Sequence, residues 1–401
     1  MPTKKCRLCH SERLVKVIDL GFHPLADTFL TKSQLSEKEV FYPLCLFLCR
    51  GCGHLMSGYI VSKEERYQKN EYSYDSANSL VAVRHFNELA QQIVTRLNLS
   101  RDDLVVDIGS NVGTLLGFIR EKSGCNVIGV EPAPNISFLA GRNKIPTIQD
   151  FFNEDVVRKI LKIGKARVIT ATNVFNHIDD INDFIKNIDR LLINNGVFVF
   201  EVPYLVDLIK KTAFDTIYLE HVSYFSVKPY VTYFNKLGFY ISNLERNDYM
   251  GGSIRVYLVK NKKFENKPLI RKYIKIEEKL KIHNPALYKV FMVKTRQFRY
   301  DLNKKLYNLK TKGVKIIGIG AATKGNTLLN YCKIDQELLE YVIETSPLKI
   351  GKYTPGSHIK IINEKEIDED ITHALILPWN IANFLVKKLR HLRLKFIIPH
   401  T

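Results

Sequence analysis

A tyrosine, a glutamate, a histidine and a second tyrosine stand close together in the stretch YLEHVSYFS, residues 218–226. Apolar residues lie among these polar side chains, a composition that is unusual for a surface loop and indicates a half-buried position. His221 is the candidate general base, because the ordinary pKa of imidazole lies closest to neutral pH. If the stretch is extended, Glu220 and His221 face opposite sides and need not touch. A polar cluster that serves stability alone is the alternative interpretation.

Five of the seven cysteines lie within residues 1–52, and four of them form two Cys-x-x-Cys pairs. Two such pairs supply the four thiolates of a tetrahedral zinc site. A disulfide is the alternative, and it is disfavoured in a reducing compartment. His10 and His54 each follow a pair as further potential ligands, whereas Cys45 is expected in the core. We predict one structural Zn²⁺, and its ligands are Cys6, Cys9, Cys49 and Cys52.

Residues 100–260 alternate strand and helix patterns, which predicts a parallel, doubly wound sheet. The strand pattern 104–109 leads into the glycine loop DIGSNVGT, residues 107–114. Backbone amides at such a turn approach a charged ligand, and the Asp-x-Gly-x-x-x-Gly spacing is that of S-adenosylmethionine enzymes rather than dinucleotide enzymes. Glu131 ends the next strand, where a carboxylate can bind ribose hydroxyls. The predicted cofactor-binding residues are Asp107, Gly109, Asn111, Gly113, Glu131 and Asn173.

The net charge of +19 is concentrated in one part of the chain. Residues 260–315 hold 18 Lys and Arg against 4 Asp and Glu. This stretch has a helical pattern, so a solvated basic arm is favoured over a nucleic-acid surface. A zinc-containing RNA-binding protein or RNA methyltransferase is nevertheless the competing class. The chain has no apolar run long enough for a membrane helix and no signal-peptide core, which predicts a cytoplasmic protein.

A second, smaller α/β domain is predicted at the C-terminal end. A glycine loop at 318–327 follows a strand pattern and carries Lys324, which is available for a phosphate. Further strand patterns lie at 339–344, 373–378 and 395–400. The expected division is a zinc module, a methyltransferase core, a basic helical linker and the C-terminal α/β domain, at residues 1–65, 66–260, 261–312 and 313–401.

Over its whole length the chain resembles the sugar C-methyltransferases that act on nucleotide-linked keto-sugars in deoxysugar biosynthesis. Beside the two cysteine pairs, the matching stretches are VIDLGFHPLADTFL, DIGSNVGTLL, NVFNHIDD, YLEHVSYFS, GGSIR, GIGAATKGNTLLN and YTPGSHIKI. The chain departs from the family pattern at Leu219, where a His is usual, and at Val112, where an acidic residue is common. Met250 stands where a His often precedes the Gly-Gly-Ser. These departures bear on the sugar substrate rather than on the chemistry.

The resemblance implies a class I, Rossmann-like methyltransferase core between the zinc module and the second α/β domain. It also implies methyl transfer from S-adenosylmethionine to the carbon alpha to the ketone of a nucleotide-linked 4-keto sugar, through an enolate. Tyr218, His177 and Tyr72 match polar active-site positions of that family and would hydrogen-bond the ketone or position the ring. An O- or N-methyltransferase on a sugar nucleotide is the alternative enzyme. Neither a nucleic acid nor a membrane is an expected partner.

Overall fold

The computed structural model, which describes residues 1–69 and 71–399, begins with an antiparallel sheet around the cysteine pairs. Leu44, Leu46 and Leu48 are buried at every second position, which is the period of a strand with one face in the core. At Gly53 the turn after the second pair takes φ +84°, a conformation that glycine adopts without strain. The elements are β1 (Leu14–His23), β2 (Tyr42–Cys49), β3 (Leu55–Ser57) and a short helix α1 (Lys63–Tyr67).

The central part of the chain folds around a seven-stranded sheet. Helices and strands alternate along it, as the sequence predicts. The elements are α2 (Leu80–Leu97), β4 (Leu104–Ile108), α3 (Thr114–Ser123), β5 (Asn126–Val130), α4 (Pro134–Arg142), β6 (Thr147–Ile148), α5 (Glu154–Leu161), β7 (Ala166–Thr172), α6 (Ile181–Leu191), β8 (Leu192–Pro203), α7 (Leu205–Lys210), β9 (Ser223–Tyr224), α8 (Val227–Lys236), β10 (Tyr240–Asn247) and β11 (Ser253–Val259).

The strand order of this sheet is β10-β11-β8-β7-β4-β5-β6. Strands β4 to β8 are parallel, and β4 is buried along its whole length because helices cover both faces. Strand β11 runs antiparallel to both of its neighbours, β8 and β10, so the prediction of a parallel sheet is wrong for this one strand. The reason is the short connection from β10 to β11, since only antiparallel neighbours can be joined without a crossover.

Strand β9 belongs to the stretch 218–226 but pairs outside the central sheet. It lies antiparallel to β3, with Leu55 opposite Tyr224 and Met56 opposite Ser223. The first sheet therefore has the order β1-β2-β3-β9. One strand of the sheet that carries the cysteines thus lies beside the candidate catalytic residues.

The basic stretch forms two helices, α9 (Lys267–Lys279) and α10 (Pro285–Lys310). Their apolar faces are packed rather than free, with Tyr288 and Leu306 fully buried. Residues 261–312 are therefore not a detached linker, and the positive charge lies on the remaining, exposed faces. Within the described residues, no helix is long and apolar enough to cross a membrane.

The C-terminal part contains a five-stranded parallel sheet of order β14-β13-β12-β15-β16. Strands form within all four predicted segments, although each is shorter than the sequence pattern, and residue 400 of the segment 395–400 lies outside the described residues. The elements are β12 (Ile316–Ile319), α11 (Thr323–Cys332), β13 (Val342–Glu344), β14 (Ile361–Asn363), β15 (His373–Ile376), α12 (Ala382–Lys388) and β16 (Lys395–Ile397).

The seven-stranded sheet and the five-stranded sheet share one loop geometry after their first parallel strand. After β4, the amide of Gly109 donates to the carbonyl of Val130 at 2.7 Å. After β12, the amide of Gly320 donates to the carbonyl of Ile343 at 2.9 Å. Both glycines have positive φ, so each first strand turns sharply and leads into a helix N-terminus. The sequence has no obvious internal repeat, and this similarity is visible only in the fold.

Candidate active site and metal centre

The four predicted cysteine ligands form one cluster. Their sulfur atoms all lie within 4.8 Å of one another, and Cys6 to Cys52 and Cys9 to Cys49 both measure 3.6 Å. Four sulfurs at about 2.3 Å from one zinc ion would lie about 3.8 Å apart, so the cluster fits tetrahedral zinc. The amide of Gly51 donates to Cys49 Sγ at 3.3 Å, which suits a thiolate. A bound ion there would hold the two turns together.

The two histidines that follow the pairs lie outside this cluster. His10 is exposed and 3.5 Å from the amide group of Asn182. His54 is fully buried, its ring meets Tyr230 edge-on at 5.3 Å, and burial lowers its pKa to about 3. The metal centre is therefore a four-sulfur site, and His54 is a neutral core residue. Cys45 also lies outside the cluster.

Glu131 closes the glycine loop after β4. Its Oε2 accepts a hydrogen bond from the amide of Asn111 at 3.0 Å, and its Oε1 accepts from the amide of Ala133 at 2.9 Å. Burial raises the pKa of Glu131 to about 7. Asp107 accepts from the Thr170 hydroxyl at 2.6 Å, and burial likewise raises its pKa to about 7. Two carboxylates thus stand at the carboxyl edge of adjacent strands, where a cofactor with ribose hydroxyls fits.

Of the other four predicted cofactor residues, three line the cavity and one does not. Gly109, Asn111 and Asn173 line the cavity in front of the loop, and the Asn111 side chain also holds the segment 74–76 by two hydrogen bonds of 2.9 Å. Gly113 does not line the cavity. It caps α3 at φ +82°, and a Cβ there would approach Ile145 to 2.6 Å. Both the packing against Ile145 and the positive φ therefore require a glycine at this position.

A single cavity of about 1480 Å³ connects the cofactor loop with the stretch 218–226. Residues from all three sheets contribute to its walls. The five predicted catalytic residues all line it, namely His221, Glu220, Tyr218, His177 and Tyr72. The fold therefore brings the candidate catalytic and cofactor residues to one space, although they are far apart in the sequence.

The stretch 218–226 is not extended at the catalytic residues. The amide of His221 donates to the carbonyl of Tyr218 at 3.0 Å, which closes a tight turn before β9 begins. In this turn the side chain of Glu220 accepts from the amide of Asp27, and that of His221 bonds the carbonyl of Thr216. Glu220 therefore does not orient the imidazole. The side chains of Glu220 and His221 contact different partners, as expected, but the cause is a turn rather than an extended strand.

The protonation of His221 follows from the hydrogen bond that its Nδ1 makes with the backbone of Thr216. Nδ1 lies 2.9 Å from the Thr216 carbonyl oxygen, which can only accept, so Nδ1 carries the proton and Nε2 carries the lone pair. Burial lowers the pKa of His221 to about 3, and the imidazole is therefore neutral at neutral pH. A neutral imidazole with a fixed tautomer can accept a proton at Nε2.

His177 and Tyr218 lie beside this imidazole, and Tyr72 lines the same cavity. The rings of His177 and His221 meet edge-on at 4.9 Å, and the ring of Tyr218 lies 3.8 Å from His221. Burial lowers the pKa of His177 and raises the pKa values of Tyr218 and Tyr72 well above the ordinary value. Both phenols therefore remain protonated at neutral pH and can donate hydrogen bonds.

A buried arginine of α1 holds the two candidate catalytic segments in place. Arg66 donates to the carbonyl of His177 at 3.1 Å and to that of Glu220 at 3.4 Å, and it pairs with Asp179 at 2.7 Å. Tyr67, next to it, hydrogen-bonds Nδ1 of His177. Arg66 and Tyr67 were not predicted from the sequence, because in KEERY they look like residues of an ordinary amphipathic helix.

The loop after β12 also lines the cavity. Glu344 accepts from the amide of Ala321 at 2.8 Å, as Glu131 does from Asn111 in the first loop. Lys324 donates to the carbonyl of Met250 at 3.0 Å, and burial lowers its pKa to about 8. A second loop with an acidic strand end and a lysine thus lines the same cavity as the cofactor loop.

The fold and the site define a class I methyltransferase. The family description "methyltransferase domain" matches residues 83–244, "C-methyltransferase C-terminal domain" matches 248–399, and a zinc binding domain matches 6–67. C-methyltransferase NovU of Streptomyces niveus is 30% identical over 404 residues, which cover 99% of this chain and 96% of NovU. The chain belongs to this C-methyltransferase family. It is an S-adenosylmethionine-dependent enzyme with a zinc-binding cysteine cluster.

Solved structures of methyltransferases match the chain in part. The methyltransferase bound to the Trm112 activator of Haloferax volcanii is 16% identical, with a TM-score of 0.38 over 46% of this chain and 94% of that chain. Magnesium protoporphyrin IX methyltransferase of Synechocystis PCC 6803 is 12% identical, with a TM-score of 0.35 over 45% and 79%. Both TM-scores lie below 0.5, so the fold class rests on the strand order and the family match.

The first testable prediction concerns the metal. We expect about one zinc per chain by elemental analysis, and loss of this zinc with a lower melting temperature in Cys49→Ser, because three thiolates hold the ion less tightly than four. Cys45→Ser, on the same strand but outside the cluster, is the control and should keep both. Four freely reactive thiols at these positions in the native protein would contradict the zinc site.

The second prediction concerns cofactor affinity. Glu131→Gln should weaken S-adenosylmethionine binding by about 10-fold or more in calorimetry, because a charged hydrogen-bond acceptor is lost. The wild-type affinity should fall as the pH drops through 7, since only the ionised Glu131 accepts from two ribose hydroxyls, and the variant should show a weaker dependence. Glu121→Gln on the exposed face of α3 is the control. Unchanged affinity in Glu131→Gln would refute the ribose role.

Proposed function

We propose that this enzyme methylates the carbon alpha to the ketone of a nucleotide-linked 4-keto (deoxy)sugar through an enolate, in deoxysugar or surface-polysaccharide biosynthesis. The observation that carries the proposal is the neutral imidazole of His221, fixed by Thr216 in a cavity shared by the cofactor loop and the loop after β12. Methylation of carbon requires a carbanion equivalent. Removal of a proton alpha to a ketone supplies it, and this removal needs a base.

In the proposed reaction Nε2 of His221 takes the alpha proton. The electron pair of the carbon–hydrogen bond moves into the enolate, and the carbon then forms its new bond. When bound, S-adenosylmethionine supplies the electrophilic methyl group. The low pKa of His221 weakens it as a base in the free enzyme. Negative charge that develops on the enolate oxygen nearby favours the imidazolium and raises that pKa during the transfer.

The enolate oxygen needs hydrogen-bond donors in a site from which water is excluded. Tyr218 and Tyr72 are our candidates, because their raised pKa values keep both hydroxyls protonated. His177 is the third candidate, and its Nδ1 is already engaged by Tyr67. Donors that are aimed before the reaction begins need no reorganisation when charge develops.

The nucleotide end of the substrate is assigned to the loop after β12. Lys324 is the candidate partner for a phosphate, and it lies at the N-terminus of α11, where amide dipoles also favour an anion. Glu344 occupies the position that corresponds to Glu131. The basic helices α9 and α10 contribute no described residue to the cavity, so the arrangement favours a small-molecule substrate over RNA.

The prediction for the base is that His221→Asn abolishes turnover. Methyl transfer to a 4-keto nucleotide-sugar should fall by about 10²- to 10⁴-fold or more, because asparagine cannot accept the proton. Exchange of the alpha proton with deuterated solvent, followed by NMR, should be lost in parallel. S-adenosylmethionine binding should be unchanged, since His221 lies outside the cofactor loop.

His391→Asn, at an exposed histidine, is the control for this experiment. Exchange of the alpha proton at the wild-type rate in His221→Asn would show that His221 is not the base, and His177→Asn would then be tested. The position of the new methyl carbon in the NMR spectrum of the product checks attachment to carbon rather than to oxygen or nitrogen.

A separate prediction concerns the nucleotide. Lys324→Met should raise KM for the nucleotide-sugar by about 10- to 100-fold, because one charged hydrogen bond is lost. Wild-type affinity for the substrate should fall as the pH rises through 8, where the lysine loses its charge. Lys365→Met, on the exposed surface of the same sheet region, is the control. Unchanged KM would remove Lys324 from the site.

A further inference from the structure

Asp27 connects the zinc module to the substrate side of the cavity. It lies in the turn after β1 and is 94% buried. Its Oδ1 accepts from the hydroxyl of Ser73 at 2.8 Å and from that of Thr323 at 2.9 Å. Ser73 follows Tyr72, and Thr323 begins α11. One carboxylate oxygen therefore joins segments from three parts of the chain at the edge of the cavity.

The same residue contacts Glu220 through its backbone. The amide of Asp27 donates to Oε1 of Glu220 at 3.1 Å, so the two carboxyl groups lie close together. Within the part of the chain that the structure describes, Oδ2 of Asp27 and Oε2 of Glu220 are buried and have no hydrogen-bond partner. Both residues line the cavity. Each residue thus places beside the cavity one carboxylate oxygen that no described group occupies.

Nearby positive charges do not occupy these two oxygens. Lys349 favours the ionised form of Asp27, but its Nζ donates to the carbonyl of Ala321 at 2.8 Å. Arg66 donates to the backbone carbonyl of Glu220 rather than to its carboxylate. A buried carboxylate oxygen without a partner has lost its hydration without compensation. Two such oxygens on residues that line one cavity indicate a ligand that supplies the missing donors.

We propose that Asp27 and Glu220 together bind a hydroxyl or amino group on the sugar ring of the substrate. The inference rests on the proposed function and adds to it a recognition residue from the zinc module. Burial and the charge of Asp27 raise the pKa of Glu220 to about 7, so Glu220 can bind a proton near neutral pH. With that proton the pair both donates to and accepts from a hydroxyl, and without it the pair binds an ammonium group.

The test compares three ligands that differ only in one substituent of the sugar ring. Affinities of a nucleotide-sugar with a ring hydroxyl, its amino analogue and its deoxy analogue are measured by calorimetry with S-adenosylhomocysteine present. Wild-type protein should bind the hydroxyl or the amino compound about 10- to 100-fold more tightly than the deoxy compound. Asp27→Asn should reduce this ratio to about twofold or less and change the affinity for the deoxy compound little. Whether hydroxyl or amine gives the larger ratio identifies the group.

Variants separate recognition from structural support. Asp19→Asn, an exposed acid on β1 of the same module, should behave as wild type. Ser73→Ala with Thr323→Val removes the two donors to Oδ1 and should weaken all three ligands equally. Zinc content and S-adenosylmethionine affinity should be unchanged in Asp27→Asn, which shows that the module is intact.

An unchanged ratio in Asp27→Asn would overturn the inference and leave the proposed function standing if the wild-type enzyme methylates a keto-sugar. An equal loss for all three ligands would also overturn it, because Asp27 would then be only a structural link. Failure of the wild-type protein to methylate any nucleotide-linked keto-sugar, or to bind one, would overturn the proposed function itself.

Discussion

The antiparallel pairing of β3 with β9 is the interaction on which the geometry of the site depends. It fixes the end of the stretch 218–226 against a strand that follows the second cysteine pair directly. Arg7, between the cysteines of the first pair, adds a hydrogen bond of 2.6 Å to the carbonyl of Val222. The tight turn at His221 precedes these contacts by one residue. The cluster of four sulfurs therefore supports the position of the candidate base through the strand pairing and through the side chain of Arg7.

The site is also constrained by the cost of removing charges and polar groups from water. Arg66 is buried, but three of its contacts are with carbonyl or carboxylate oxygens, which offsets the loss of hydration. The imidazole of His221 avoids this cost because it is neutral at neutral pH. Asp27 and Glu220 avoid this cost only in part, because each has a carboxylate oxygen that lacks a hydrogen-bond partner among the described residues. Unpaired groups of this kind lie where a substrate replaces water, as expected for a binding cavity.

Much of the architecture could be predicted from the sequence, because it depends on local patterns. Apolar runs that end in glycine give β4 and β12, and the spacing of the cysteines gives the metal centre. Long-range contacts could not be predicted. Asp27 was included only in a matching stretch, since no local pattern places it 3.1 Å from an oxygen of Glu220. The reversed direction of β11 was missed for the same reason, as strand direction depends on connection length. The roles of His221 and Glu131 stay predictions.

Glu277 links the basic helix α9 to α8, the helix that follows the stretch 218–226. This fully buried carboxylate accepts from the amides of Val227 and Lys228 at 2.5 and 3.0 Å and from the hydroxyl of Tyr204 at 2.9 Å. It thereby caps α8, the helix that follows the catalytic stretch. Separation of the basic helices from the core would expose that carboxylate's partners and release the cap. The stability of α8, and with it the position of the candidate catalytic stretch, therefore depends on how the basic helices pack against the core.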